Sequence, residues 1–148
     1  MPETTVIVPF YQQDTGILTR CLDCIFAQST QDLTVIVVDD ASPLSAQPEV
    51  DGRLAEERRR IKVVMQKNGG PGSARNTGLD HVGPDTLFIA FMDSDDVWTG
   101  DHLAKAIAGL SAGYDFYFSD YTWPTKSSTR FKQTNLASLG RALSADPG

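Results

Sequence analysis

Asp93-Ser94-Asp95-Asp96 places three carboxylates in four residues, directly after the apolar run Leu87–Met92. Two such charges about 4 Å apart repel by ~4 kcal/mol at an effective dielectric of about 20. A fold tolerates that repulsion when a divalent cation offsets it or when one acid takes up a proton. Mg²⁺ or Mn²⁺ suits the pattern, because these ions take few protein oxygens and complete their shells with water and substrate phosphates. The competing reading is a turn that opens a helix, with Asp96 or Thr99 as its N-cap. Both readings hold if they use different aspartates.

Two other stretches carry comparable chemistry. Asp39-Asp40 follows the run Leu33–Val38. It either caps a turn into Ala41-Ser42-Pro43 or accepts hydrogen bonds from a nucleobase N–H or a ribose hydroxyl. The stretch Asn68-Gly69-Gly70-Pro71-Gly72-Ser73-Ala74-Arg75-Asn76 lets backbone approach a ligand closely, and Arg75 adds a planar cationic fork for phosphate or carboxylate. No Gly-Lys-Ser/Thr follows, so it is not a Walker loop, and a flexible loop before a capped helix is its plainer reading. Cys21 and Cys24 form a Cys-x-x-Cys inside a helical pattern rather than at its start. A redox pair is favoured at a helix N-terminus and zinc requires four ligands, so these read as core thiols. His81 and His102 have no ligand spacing, Trp98 is expected to pack near the acidic turn, and Asp120 either lines the same crevice or ends a strand.

The elements that must position these groups alternate along the chain. Val6–Phe10 reads as a buried strand, and Ile17/Leu18, Cys21/Leu22 and Ile25/Phe26 mark one face of a helix over residues 17–27. Asp14 or Thr15 is its expected N-cap. Leu33–Val38 is apolar enough for a strand covered on both faces. A charged helix is expected over 49–60, a strand over 61–66, a loop over 68–72 and a short helix through Leu79. A strand over 87–92, a helix over 101–110 and a fifth strand over 115–119 follow. This β-α alternation implies right-handed crossovers, a mainly parallel sheet and helices on both faces. Ligands of such sheets bind outside the carboxyl ends of the strands. Tyr11, Asp39-Asp40, Asn68–Arg75 and Asp93–Asp96 each follow one of the first four strands, so all converge on that rim.

Composition narrows the class. The chain has 148 residues, 22% of them charged and a net charge of −6, which argues for one folded domain and against a nucleic-acid-binding protein. No apolar run approaches the ~20 residues of a membrane helix, and no basic segment precedes an apolar stretch at the N-terminus. Two cysteines are too few for a disulfide scaffold. The expectation is a cytoplasmic domain, with any peripheral attachment to the inner face of a membrane supplied by sequence outside these residues. Of the 19 acids, 15 are Asp, a residue suited to caps, turns and hard-metal ligation. Residues 121–148 carry a charge of +3 and residues 1–120 carry −9. The expected division is an α/β domain over 1–123 and a polar, weakly periodic tail over 124–148.

Val6-Ile7-Val8-Pro9-Phe10-Tyr11, Val37-Val38-Asp39-Asp40-Ala41-Ser42, Asn68–Gly78 and Asp93-Ser94-Asp95-Asp96 occur in that order. Together they resemble the N-terminal half of a family 2 glycosyltransferase with the GT-A fold, a Rossmann-like three-layer α/β/α arrangement, over about residues 4–123. The resemblance implies inverting transfer of a sugar from a nucleotide diphosphate donor, usually UDP-linked, with Mg²⁺ or Mn²⁺. It implies a nucleotide-sugar site of Pro9, Phe10, Tyr11, Asp40, Gly72, Arg75, Asp93, Ser94 and Asp95. Pro9 and Tyr11 would flank the base, Asp40 would bond its edge, and Arg75 would lie by the nucleotide. Asp93 would reach the ribose, and Asp95, with Asp93, would ligate the metal. The acceptor would be a glycan or lipid-linked hydroxyl, in polysaccharide or glycoconjugate synthesis. The family's catalytic base, usually a carboxylate on an acceptor-binding half, has no convincing counterpart here. The chain is therefore expected to hold the donor half without the acceptor half and to turn over poorly.

Three other readings compete. Asp93-x-Asp95 after a strand fits the opening motif of haloacid-dehalogenase-like phosphatases, although 92 residues precede it. A receiver-like domain would place an acidic pair after its first strand, not its second. A nucleotidyltransferase of related architecture stands closer, and pyrophosphate release would mark it.

Overall fold

The computed structural model describes residues 3–122. Four strands, β1 (Thr4–Phe10), β2 (Leu33–Asp39), β3 (Ile61–Met65) and β4 (Phe88–Phe91), form one parallel sheet in the order β3-β2-β1-β4. Helices α1 (Ile17–Phe26), α2 (Gln47–Asp51), α3 (Ala55–Arg58), α4 (Gly70–Leu79) and α5 (His102–Ser111) connect or follow them. Contacts divide the chain into two compact units, Met1–Ala108 and Gly109–Gly148.

The first unit holds the whole sheet. β1 and β2 are central, and their apolar runs are buried on both faces, as a continuous rather than alternating pattern requires. On one face Val6, Val8, Phe10, Val35 and Val37 meet Leu18, Cys21, Leu22 and Ile25 of α1, Val50 of α2 and Leu103 of α5. On the other, Ile36 and Val38 meet Ala74 of α4. Here α4 approaches β1 closely: a Cβ on Gly78 would stand 2.4 Å from Ile7 Cγ2, a spacing only glycine permits. Among the described residues no helix is long and apolar enough to cross a membrane.

Four expectations need correction. The single charged helix over 49–60 is two short helices separated by Gly52-Arg53-Leu54. Glycine interrupts the propensity, and Arg53 leaves the helical path to pair with Asp23 and Glu57. Neither Asp14 nor Thr15 caps α1: Gly16 stands at the N-cap with φ 84° and no side-chain cap bond. Instead Glu49 of α2 accepts from the Thr19 N–H (2.7 Å) and hydroxyl (2.8 Å). The glycine stretch is not all loop, since α4 already begins at Gly70. Residues 115–119, in the second unit, form no strand. Phe116 and Phe118 contact each other at 5.8 Å while both stay exposed. The expected tail over 124–148 lies outside the described residues.

Candidate functional site

In the order β3-β2-β1-β4, β1 connects to β2 on one side, while β4 pairs on the other. The switch point therefore lies at the carboxyl ends of β1 and β4. A cavity of about 320 Å³ opens there, lined by Pro9, Phe10, Tyr11, Asp40, Asn68, Gly70, Pro71, Ala74, Arg75, Asp93, Ser94 and Asp95. Of the residues the sequence singles out as a site, all but Gly72 line it. Gly72 is exposed on α4, with open space where a Cβ would project. Phe10 borders the cavity although the residue is fully buried in the core, and its carbonyl accepts the Asp40 N–H at 3.0 Å.

Asp40 is 3% exposed and has a task within the fold. Its Oδ1 accepts from Gly69 N–H (2.8 Å) and Gln66 Nε2 (2.6 Å), and its Oδ2 accepts from Gly70 N–H (2.8 Å). Gly69 is the N-cap of α4, so a carboxylate from the end of β2 satisfies the first amides of α4 and meets the positive end of its dipole. Burial pushes the Asp40 carboxyl up, but the Gly69, Gln66 and Gly70 hydrogen bonds outweigh it and hold it below its ordinary value. Asp39 is equally enclosed, accepting from Ser42 N–H and Ala46 N–H at 2.9 Å each. The turn reading of this acidic pair is thus realised in the structure, while Asp40 also borders the cavity.

At the end of β4 the arrangement inverts. Ser94 is 4% exposed and receives Gln12 Nε2 at 3.0 Å, whereas Asp93 and Asp95 on either side of it are exposed. Arg75 of α4 reaches across to Asp93 at 2.5 Å, the two side chains being 33% and 51% exposed. Arg20 of α1 donates to the Asp95 carbonyl at 3.1 Å. Asp96 N–H closes the turn on the Asp93 carbonyl at 3.0 Å. Burial raises the Asp96 carboxyl, and the charges of Asp95 and Asp93 raise it further. That is the self-repulsion expected of clustered acids.

Among the described residues no three His, Cys, Asp or Glu side chains are grouped to hold a metal by themselves. The donor chemistry still fits Mg²⁺ or Mn²⁺, which need only one or two carboxylates when phosphates and water complete the shell; Asp93 and Asp95 provide two at the mouth of the cavity. Trp98 packs against the core and stacks on His102 at 4.5 Å. Burial lowers the His102 imidazole. Cys21 and Cys24 are both free, and burial pushes both thiols up, as core thiols require. Asp120 lies in the second unit, where its carboxylate accepts from Tyr121 N–H at 2.9 Å. Spacing gave no signal for Gln12, Arg20, Ser42 or Gln66, whose roles exist only in the folded chain.

A parallel α/β sheet with helices on both faces and an acidic turn at its carboxyl rim defines a Rossmann-like domain of the GT-A kind. S. aureus TarS 1-349 in complex with UDP-GlcNAc is similar in structure, with a TM-score of 0.62 and 30% identity over 74% of this chain and 31% of that one. Mannosyltransferase PcManGT from Pyrobaculum calidifontis in complex with GDP-Man and Mn²⁺ also matches, with a TM-score of 0.62 and 31% identity over 74% of this chain and 32% of that one. The chain belongs to glycosyl transferase family 2, whose model matches residues 5–144. It is 50% identical over 123 residues to the succinoglycan biosynthesis protein ExoW of Rhizobium meliloti (strain 1021), covering 82% of this chain and 39% of that protein. It is 28% identical to the putative glycosyltransferase EpsH of Bacillus subtilis (strain 168), covering 92% of this chain and 38% of that protein. The chain thus spans about two fifths of the length of these relatives. All four motifs fall within the family match, which the phosphatase, receiver and nucleotidyltransferase readings do not account for.

Proposed function

We propose that this chain forms the donor-binding part of a glycosyltransferase that takes a nucleotide diphosphate sugar, UDP-linked, and transfers the sugar with inversion to an acceptor hydroxyl in polysaccharide or glycoconjugate synthesis. The observation that carries this reading is the convergence of Tyr11, Arg75, Asp93 and Asp95 on one cavity at the switch point. Pro9 and Tyr11 flank the base, Asp40 borders it through a carboxylate already anchored to α4, and Asp93 reaches the ribose. The bound UDP-GlcNAc and GDP-Man of the two structural relatives support a nucleotide sugar as ligand.

Asp95, with Asp93, would hold Mg²⁺ or Mn²⁺, and the Mn²⁺ of the mannosyltransferase supports a divalent ion. When bound, that ion supplies Lewis-acid stabilisation of the charge developing on a departing diphosphate. Arg75 adds a second cation on the opposite wall, where its fork can turn from Asp93 to phosphate. No general base is assigned within the chain.

Calorimetric titration of UDP, GDP and dTDP with and without Mn²⁺, on wild type and Asp95→Ala, tests the reading. UDP should bind best, Mn²⁺ should strengthen it, and Asp95→Ala should abolish the strengthening. UDP binding indifferent to both the ion and the substitution would overturn the assignment.

A further inference from the structure

We infer that Gln12 is a positioning residue, which fixes the acidic turn through Ser94 and so sets the separation of Asp93 and Asp95. The inference rests on the proposed metal-assisted nucleotide site. It concerns a residue that does not line the cavity and that no motif singles out.

The geometry is a relay of hydrogen bonds across the ends of three strands. At the β2 end, Asp39 accepts from the Ser42 N–H at 2.9 Å. Ser42 then locks the backbone of Gln12 in both directions: its Oγ accepts from Gln12 N–H at 2.8 Å and donates to the Gln12 carbonyl at 3.0 Å. That carbonyl also accepts from Leu44 N–H at 3.3 Å. The Gln12 side chain, emerging just past β1, donates to Ser94 Oγ at 3.0 Å. The buried serine is thereby held inward, and its two neighbours face outward.

A turn bearing three like charges has an electrostatic reason to splay, and besides its own Asp96–Asp93 backbone bond and the Arg75 pair on Asp93 it is fastened from two further elements. Arg20 fastens one carbonyl of the turn from α1, and Gln12 fastens its central side chain from β1. Ligands of a small divalent ion must be held close to their productive geometry, and outer partners that orient them are worth about 10–100-fold in affinity. Gln12 acts one bond further out: it touches neither the nucleotide nor the ion, and it holds Ser94, the residue between the two proposed ligands.

The test compares wild type, Gln12→Met, Ser94→Ala and the double variant. Methionine keeps the volume of glutamine but cannot donate. The readout is the gain in UDP affinity on adding Mn²⁺, measured by calorimetry, with thermal melting to verify folding. Wild type should gain about tenfold or more. Gln12→Met and Ser94→Ala should each cut the gain to about threefold or less, with metal-free UDP affinity of Gln12→Met within about twofold of wild type. The double variant should be no worse than either single one, because both remove the same bond. A wild-type gain that Gln12→Met retains overturns this inference alone, as do losses that multiply in the double variant. A wild type with no gain overturns the proposed function and this inference together. If Gln12→Met does not fold, Gln12→Leu, which likewise cannot donate, decides by the same criterion.

Discussion

At the end of β2, Asp39 and Asp40 are 1% and 3% exposed, and every carboxylate oxygen accepts at least one backbone N–H. At the end of β4, the residue turned inward is Ser94, while Asp93 and Asp95 stand in solvent beside the cavity. The same residue type at equivalent places in one sheet thus serves opposite ends. Buried carboxylates that hold amides are part of the fold. The Asp93 and Asp95 carboxylates beside the cavity are exposed and hold no helix amide; Asp93 meets the Arg75 guanidinium instead.

The comparison can be broken most forcefully through stability. Asp40→Ala leaves the first amides of α4 without their acceptor and should cost about 3 kcal/mol, and Asp39→Ala a similar amount, because buried groups lose charge-assisted partners. Asp95→Ala should change stability by no more than about 0.5 kcal/mol. Urea denaturation of the three variants checks this; equal costs would erase the distinction between the two turns. The ligand readout should run the other way. Asp95→Ala should lose about tenfold or more of Mn²⁺-assisted UDP affinity, or ~1.4 kcal/mol, in a calorimetric titration.

Acid sharpens the contrast further. The Asp40 carboxyl is held below its ordinary value of 3.8, so its charged form is favoured by folding. That contribution is complete above the unfolded value and is lost as pH falls through the folded one. Stability measured against pH should therefore decline below about pH 4 in wild type and decline less steeply in Asp40→Asn. The smallest effect is expected at Arg75. Its pair with Asp93 is partly exposed, so Arg75→Ala should cost no more than about 1 kcal/mol of stability. The same variant should weaken UDP binding in the titration.

The central strands were legible because Val6–Phe10 and Leu33–Val38 need only be apolar to be buried in a parallel sheet, and the rim followed from their order. Asp93–Asp95 stood out because the clustering of like charges is itself local. The use of Asp40 was not legible: its partners Gly69 and Gly70 lie 29 and 30 residues away, and only the β2–β3 crossover brings them together. The start of α4 was hidden for the same reason. Gly70-Pro71-Gly72 has poor helix propensity, and the compensating carboxylate comes from another strand. Glu49 likewise displaced Asp14 and Thr15 at α1, because a tertiary acceptor already served the Thr19 amide.

Gly78 lies eight residues along α4 from Gly70, a rise of about 12 Å, and its missing methyl is what lets the helix rest on Ile7. With its amino end tethered to Asp40, α4 behaves as a lever, and Arg75 rides on the span between tether and resting point. An alanine at 78 would jack up the far end and tilt the guanidinium relative to Asp93. The elevation of the cationic arm over its anionic counterpart is thus set by one absent carbon on the buried side of the helix.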